Sequence, residues 1–177
     1  MKVFKGYSLF VLMILLAVVC ASSTSSESST VCNDRYEVVI FMAPHCKICQ
    51  YYALPLRTMY AEYADKGFTF VGVFPNNHST ITAIEEFKSK YEIPFALVKD
   101  LNNRTGQLGA SVTPEVFILE GNEVVYSGRI DNSYVRVGKK RTITTSFDLQ
   151  DALAALANNQ PLEVNHTTAV GCLIENK

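Results

Sequence analysis

A continuous apolar segment ends just before two closely spaced cysteines, and this junction constrains the fold more than any other feature. The segment Tyr36 to Ala43 (YEVVIFMA) has the length and β-branched content of a buried strand. The motif Cys46-Lys47-Ile48-Cys49 follows after two residues. Apolar side chains then recur every three or four positions as far as Tyr63, which is the period of an amphipathic helix. We therefore predict that the cysteines lie in the first turn of a helix that follows a central strand.

The rest of the chain alternates between strand and helix patterns before it ends in a hairpin and a helix. The predicted elements are a strand at 68–74, a helix at 79–91, a strand at 95–98, a hairpin of strands at 115–119 and 123–129, and a helix at 147–157. Early alternation followed by a hairpin indicates an α/β fold with a central mixed β-sheet and helices on both faces.

The N-terminus has the layout of a secretory signal. Lys2 and Lys5 precede an apolar run from Leu9 to Ala21, which is too short for a confident membrane span. We predict a signal peptide at residues 1–21, with cleavage after Ala21. A lipoprotein signal with the lipid on Cys20, or an uncleaved segment that attaches the protein to a membrane, remain alternatives.

The residues after this segment divide into a linker and one domain. Residues 22–31 are rich in serine and almost free of apolar side chains, so they are predicted to form a flexible linker. Residues 32–177 are enough for one domain with a C-terminal tail. The formal net charge of the whole chain is −1, and no basic clustering indicates nucleic-acid binding.

Export would place the remaining cysteines in an oxidising compartment, either periplasmic or extracellular, where cysteine pairs are commonly disulfides. The start of a helix carries partial positive charge and unpaired N–H groups, and both stabilise a thiolate. Cys46 is therefore the predicted nucleophile, and Cys49 is predicted to resolve the mixed disulfide that Cys46 forms. The ammonium group of Lys47 would stabilise the thiolate further if it stays close. Half of a zinc site and a structural disulfide without turnover are the alternatives for this motif.

Five segments of the chain resemble the thioredoxin superfamily, in particular exported redoxin-domain proteins of the AhpC/TSA-related and thiol–disulfide interchange type. They are VVIFMAPHCKIC, FVGVFPNN, IPFALVKD, VTPEVFILEGNEVVYSGRID and AVGCLI, and together they extend over roughly Val38 to Ile174. The resemblance implies a thioredoxin-like fold and thiol–disulfide exchange. It also implies that the redox pair falls on Cys46 and Cys49 and the family's cis-proline on Pro114.

The proline loop is the second predicted part of the site. In such a fold, Pro114 lies opposite the cysteine pair, and a cis peptide would present the backbone of Val112 and Thr113 to an extended substrate chain. The alternative is an ordinary proline at the start of a strand.

Cys172 lies in the tail that resembles the end of those redoxin proteins. It is a candidate for a structural disulfide with Cys32, which would join both ends of the domain. It could instead resolve the active pair or relay electrons to it. A free thiol and a disulfide between chains remain open as well.

Ile40 and Ala43 depart from the patterns of related families. Ile40 stands where thioredoxins often bury an acidic residue, and His45 is either a substitute proton carrier or an exposed flanking side chain. Ala43 stands where peroxiredoxins have a threonine, three residues before the reactive cysteine.

We therefore expect an exported thiol–disulfide oxidoreductase without cofactor or metal. Its partners would be exported proteins that contain disulfides or dithiols, together with an upstream redox partner. A thiol-dependent peroxidase and a non-catalytic binding module are the alternatives.

Overall fold

A computed structural model gives the fold and describes residues 35–175. The predicted signal peptide at 1–21, the linker at 22–31, Cys20 and Cys32 lie outside the described residues. Among residues 35–175, no helix has the length and apolar character needed to cross a membrane.

Nine strands and four helices make up this part of the chain. In chain order they are β1 (Tyr36–Phe41), α1 (Lys47–Tyr63), a 3-10 turn (Ala64–Lys66), β2 (Phe68–Phe74), α2 (Ile81–Tyr91), β3 (Ala96–Lys99), α3 (Arg104–Leu108), β4 (Val112–Thr113), β5 (Glu115–Glu120), β6 (Glu123–Gly128), β7 (Tyr134–Arg136), β8 (Lys139–Lys140), α4 (Asp148–Ala157) and β9 (Cys172–Leu173).

Five strands form the central sheet in the order β3-β2-β1-β5-β6. The pairs β1–β2 and β2–β3 are parallel, whereas β1–β5 and β5–β6 are antiparallel. The parallel half comes from the alternation of strand and helix, and the antiparallel half from the hairpin. The predicted mixed sheet is therefore confirmed.

The strand β1 is buried on both faces, which explains its unbroken apolar sequence. Val38 and Ile40 face the core beneath α1, α2 and α4. Val39 and Phe41 face a second, smaller core, which Leu108 of α3 and Ile174 of the C-terminal tail help to cover. Helices thus lie on both faces, as predicted, but the tail completes the second face.

Candidate functional site

Cys46 lies at the point where β1 passes into α1. It is the N-terminal capping residue of α1. The residue is only 4% exposed, because neighbouring groups surround it.

The surroundings of Cys46 favour its thiolate. A hydrogen bond from the Cys49 thiol is the largest cause that lowers the pKa of Cys46, to about 5, and it outweighs the opposing effect of burial. A hydrogen bond from Cys172 and the backbone N–H groups of Cys49 and Ile48 lower this pKa further. At neutral pH the Cys46 sulfur is consequently an anion held at the start of a helix.

Cys49 stays protonated beside this thiolate. Its side chain is fully buried, and burial together with the neighbouring Cys46 raises its pKa well above the usual range. The two cysteines thus have opposite protonation states, which is the arrangement expected of a nucleophile and a resolving thiol.

The proline loop lies against the cysteines, as predicted. The Thr113–Pro114 peptide bond is cis. The Thr113 carbonyl oxygen lies 3.2 Å from the Cys46 sulfur and accepts its hydrogen bond when the thiol is protonated. Val112, Thr113 and the two cysteines therefore belong to one site.

The C-terminal tail occupies this site. Residues 165–175, which we call the strap, run from β6 to the proline loop. There β9 pairs with β4 in antiparallel fashion, with Cys172 opposite Thr113 and Leu173 opposite Val112. The Cys172 thiol donates a hydrogen bond to the Cys46 sulfur across 2.8 Å, longer than the roughly 2.05 Å of a disulfide bond. The sequence did not predict that β9 pairs with β4.

The strap bears on the predicted role of Cys172. Its proposed partner in a structural disulfide, Cys32, lies outside the described residues, so that pairing stays a prediction. Cys172 is a free thiol next to Cys46. This position favours the alternative in which Cys172 exchanges with the active pair.

Two side chains that flank Cys46 point elsewhere. The Lys47 ammonium group donates to the Gln50 side chain at 3.2 Å, and no effect of Lys47 is among the main causes of the lowered Cys46 pKa. His45 is exposed, which agrees with the interpretation as a flanking side chain.

The rim of the site contains three tyrosines that were not predicted. Tyr51 and Tyr52 of α1 pack against Tyr134 of β7, with ring centroids 5.5 and 6.1 Å from that of Tyr134. Burial raises the pKa of Tyr134, and the Cys46 charge adds to this effect. The hairpin of β7 and β8 therefore borders the site, although no strands were predicted there.

Within residues 35–175, no group of three or more histidine, cysteine, aspartate or glutamate side chains is arranged to hold a metal ion.

Comparisons with known proteins bear on the family and the fold of the chain. A profile of the AhpC/TSA family matches residues 17–127. A search of the curated proteins found no match. The strap lies beyond the matched residues, so the family match gives no information about its role.

Solved structures share the fold. A hypothetical protein from Sinorhizobium meliloti is similar with a TM-score of 0.72 and 22% identity, over 82% of each chain. An uncharacterized conserved protein from Geobacillus kaustophilus has a TM-score of 0.71 and 23% identity, over 81% of this chain and 78% of its own. The thioredoxin domain of a thiol-disulfide oxidoreductase from Bacteroides vulgatus has a TM-score of 0.54 and 16% identity, over 72% of this chain and 82% of its own.

These three likenesses concern the fold, whereas the profile match spans more than half of the chain. Together with the sheet order and the cis-proline beside a strand-to-helix cysteine pair, the match leads to one conclusion. The chain has a thioredoxin-like fold and belongs to the AhpC/TSA family.

Proposed function

We propose that this protein is an exported thiol–disulfide oxidoreductase that exchanges disulfides with protein substrates through Cys46 and Cys49. The observation that carries the proposal is the contrast between the two sulfurs. Cys46 is a thiolate at the start of α1, and Cys49 is a buried thiol that donates a hydrogen bond to it.

The reaction follows from this arrangement. The Cys46 thiolate attacks one sulfur of a substrate disulfide, and the other substrate sulfur leaves as a thiolate. Cys46 then no longer has a negative charge, so this charge no longer raises the pKa of Cys49. Cys49 gives up its proton and attacks Cys46, which releases the second substrate sulfur and leaves a Cys46–Cys49 disulfide. Two electrons pass to the substrate, and an upstream dithiol partner returns them.

The backbone of the proline loop beside Cys46 suits a polypeptide substrate. The backbone of Val112 and Thr113 pairs with another strand in this structure, so the same groups can pair with an extended substrate chain. The apolar run at residues 9–21 supports an extracytoplasmic location, and exported disulfide proteins are the substrates that such a location offers.

Reduction assays with insulin and with glutathione disulfide, each with dithiothreitol as electron donor, test the proposal. We expect the wild-type protein to accelerate reduction and Cys46→Ser to abolish the acceleration. Cys49→Ser should still form the first mixed disulfide. Rates equal to background with both substrates would contradict catalysis and favour a binding module.

Peroxide reduction is the competing activity, and the low pKa of Cys46 is compatible with it. Ala43 has no hydroxyl group with which to hold a peroxide near the sulfur. We therefore expect hydrogen peroxide to oxidise Cys46 more slowly than glutathione disulfide does. The opposite order, read as sulfenate formation, would identify a peroxidase.

A further inference from the structure

The strap occupies the place that an extended substrate would take. It adds an antiparallel strand to Val112 and Thr113, beside the cis-proline. The register sets Cys172 opposite Thr113, whose carbonyl oxygen contacts the Cys46 sulfur. The strap thus brings a cysteine to Cys46 as a bound substrate would.

The sequence of the strap fits this close approach. A Cβ atom on Gly171 would lie 2.3 Å from the Thr113 carbonyl oxygen, a contact that the backbone cannot accommodate. Glycine at this position therefore lets the strap reach the proline loop. Gly171 is not one of the glycines with a positive φ. Alanine is therefore excluded here by the lack of space and not by the backbone conformation.

Both ends of the strap are anchored. Before Cys172, the Thr167 N–H donates to the Ser127 carbonyl oxygen at 2.9 Å, and the Thr167 hydroxyl accepts from the Arg129 N–H at 2.9 Å. After Cys172, Ile174 is buried in the second core, and its N–H donates to the Ser111 carbonyl oxygen at 3.0 Å. Leu173 between them is 79% exposed, so backbone pairing holds this part of the strap.

We propose that Cys172 is a second resolving cysteine, which the strap delivers to Cys46, and that the protein has a Cys46–Cys172 disulfide as an additional oxidised state. The inference rests on the proposed function in one respect, because Cys46 must first form a mixed disulfide with a substrate.

The step balances without any further reagent. Cys46 attacks the substrate disulfide R–S–S–R and releases one R–S⁻. Cys172 loses its proton to water and attacks the Cys46 sulfur of the mixed disulfide, which breaks the Cys46–S–R bond and releases the second R–S⁻. The protein loses two electrons in forming the Cys46–Cys172 bond, and the substrate gains them. Cys49 can then attack Cys46 from within the core and free Cys172, with no change in overall oxidation state.

The electrostatics set the order of these steps. Burial, the hydrogen bond to Cys46 and the Cys46 charge together raise the pKa of Cys172 to about 12. Once Cys46 is in a mixed disulfide, its charge is gone and only burial remains to oppose ionisation of Cys172. A polypeptide substrate has to displace the strap to reach Cys46, and the return of the strap then releases that substrate.

Trapping in the full-length Cys49→Ser protein tests this inference. The reduced protein is treated with glutathione disulfide, its free thiols are alkylated in acid, and the disulfides are mapped by mass spectrometry. We expect a Cys46–Cys172 disulfide as the main product. In the control Cys49→Ser/Cys172→Ser, glutathione should stay bound to Cys46.

The possible failures are distinct. The role of Cys172 would be overturned if the glutathione adduct persisted in Cys49→Ser at the level of the double variant. A Cys172–Cys32 disulfide would overturn it as well. Either outcome would leave the proposed function intact. Failure of Cys46 to form any disulfide in either variant would overturn both.

Gly171→Ala provides a second test that keeps every thiol. It should weaken docking of the strap and raise the rate at which a bulky maleimide alkylates Cys46 by roughly tenfold, equivalent to about 1.4 kcal/mol. Gly106→Ala is the matched control, because the added methyl group meets only the displaceable side chain of Asn103. Equal alkylation rates in the two variants would contradict the docking role of Gly171.

Discussion

At the scale of single residues, the reactivity of Cys46 depends on which groups surround its sulfur. The hydrogen bond from Cys49 is the largest cause of the lowered pKa, and the helix start adds the N–H groups of Ile48 and Cys49. Lys47 is adjacent in sequence, but its ammonium group is directed to Gln50. Proximity in sequence is therefore a poor guide to the charge that a sulfur experiences.

The different effects of Cys49 and Lys47 on the pKa of Cys46 predict the outcome of two substitutions. Cys49→Ala should move the pKa of Cys46 upward from about 5, towards the roughly 8.5 of a free cysteine, because the main donor to the thiolate is lost. Lys47→Met should leave that pKa nearly unchanged. The measurement is thiolate absorbance near 240 nm against pH in the Cys172→Ser background. A larger shift in Lys47→Met than in Cys49→Ala would show that the ammonium charge dominates.

At the scale of elements, a half-buried ion pair joins the end of β6 to the start of α4. The Arg129 guanidinium donates two hydrogen bonds to the Asp148 carboxylate, at 2.7 and 3.0 Å. Burial alone would raise the pKa of Asp148, but the hydrogen bonds from Arg129 and its positive charge lower it. The pair holds α4 against the sheet next to the point where Thr167 of the strap is attached to Arg129.

Asp148→Asn should lower the free energy of unfolding by about 1–3 kcal/mol at pH 7, the value typical of hydrogen bonds to charged groups. Because the pKa of Asp148 is lowered in the folded protein, the contribution is complete above the unfolded pKa and disappears as pH falls through the folded one. Urea unfolding at pH 7 and at about pH 3 measures both effects.

Glu62→Gln is the matched control for this substitution. Glu62 and Lys66 form an exposed pair at 3.8 Å on one helix face, and such pairs contribute only about 0.3–0.5 kcal/mol. The ion pair would be ruled out as a stabilising link if Asp148→Asn lowered the free energy of unfolding at pH 7 by no more than the control does. It would also be ruled out if this decrease were just as large in acid.

At the scale of the whole molecule, ionisation of Cys46 links the redox state to stability. The pKa of Cys46 is about 5 in the folded protein, whereas that of a free cysteine is roughly 8.5, so folding favours the thiolate between these two values. The oxidised protein has no such thiolate. Thiolate stabilisation favours the reduced form.

The reduced protein should therefore gain stability over the oxidised protein as pH rises from about 5 to about 9. The raised pKa values of Cys49 and Cys172 affect stability only above this range, where they act in the opposite direction. Urea unfolding of both redox forms across the range measures the difference, with Cys46→Ala as the reference. A difference that does not change with pH would mean that the folded protein does not favour the thiolate.

Much of the fold follows from local patterns in the sequence. The bounds of β2 were predicted as observed, and those of β1, β3, β5, β6, α2 and α4 to within two residues, because each has a clear period and an apolar face. Ser146 lies two residues before α4 and is not its capping residue. Phe147 is the capping residue, and the Ser146 side chain instead lies within 3.5 Å of Arg129. A short polar side chain near a helix start does not by itself identify the cap.

Elements that depend on distant partners were not predicted. The strands β4 and β9 have two residues each, too few to show a period, and β9 exists only because β4 lies beside it. The hairpin of β7 and β8 was not predicted either, because its strands have only three and two residues.

The sequence alone determined that a cysteine pair follows a buried strand and opens a helix, since strand, motif and helix are contiguous and their side-chain periods are local. Only the tertiary structure decided that a third cysteine, 126 residues from Cys46, lies against the same sulfur. That contact depends on how the chain returns across β6 and pairs with β4. Its physical basis is non-local backbone hydrogen bonding and burial of Ile174, which leave no periodic signal in the sequence.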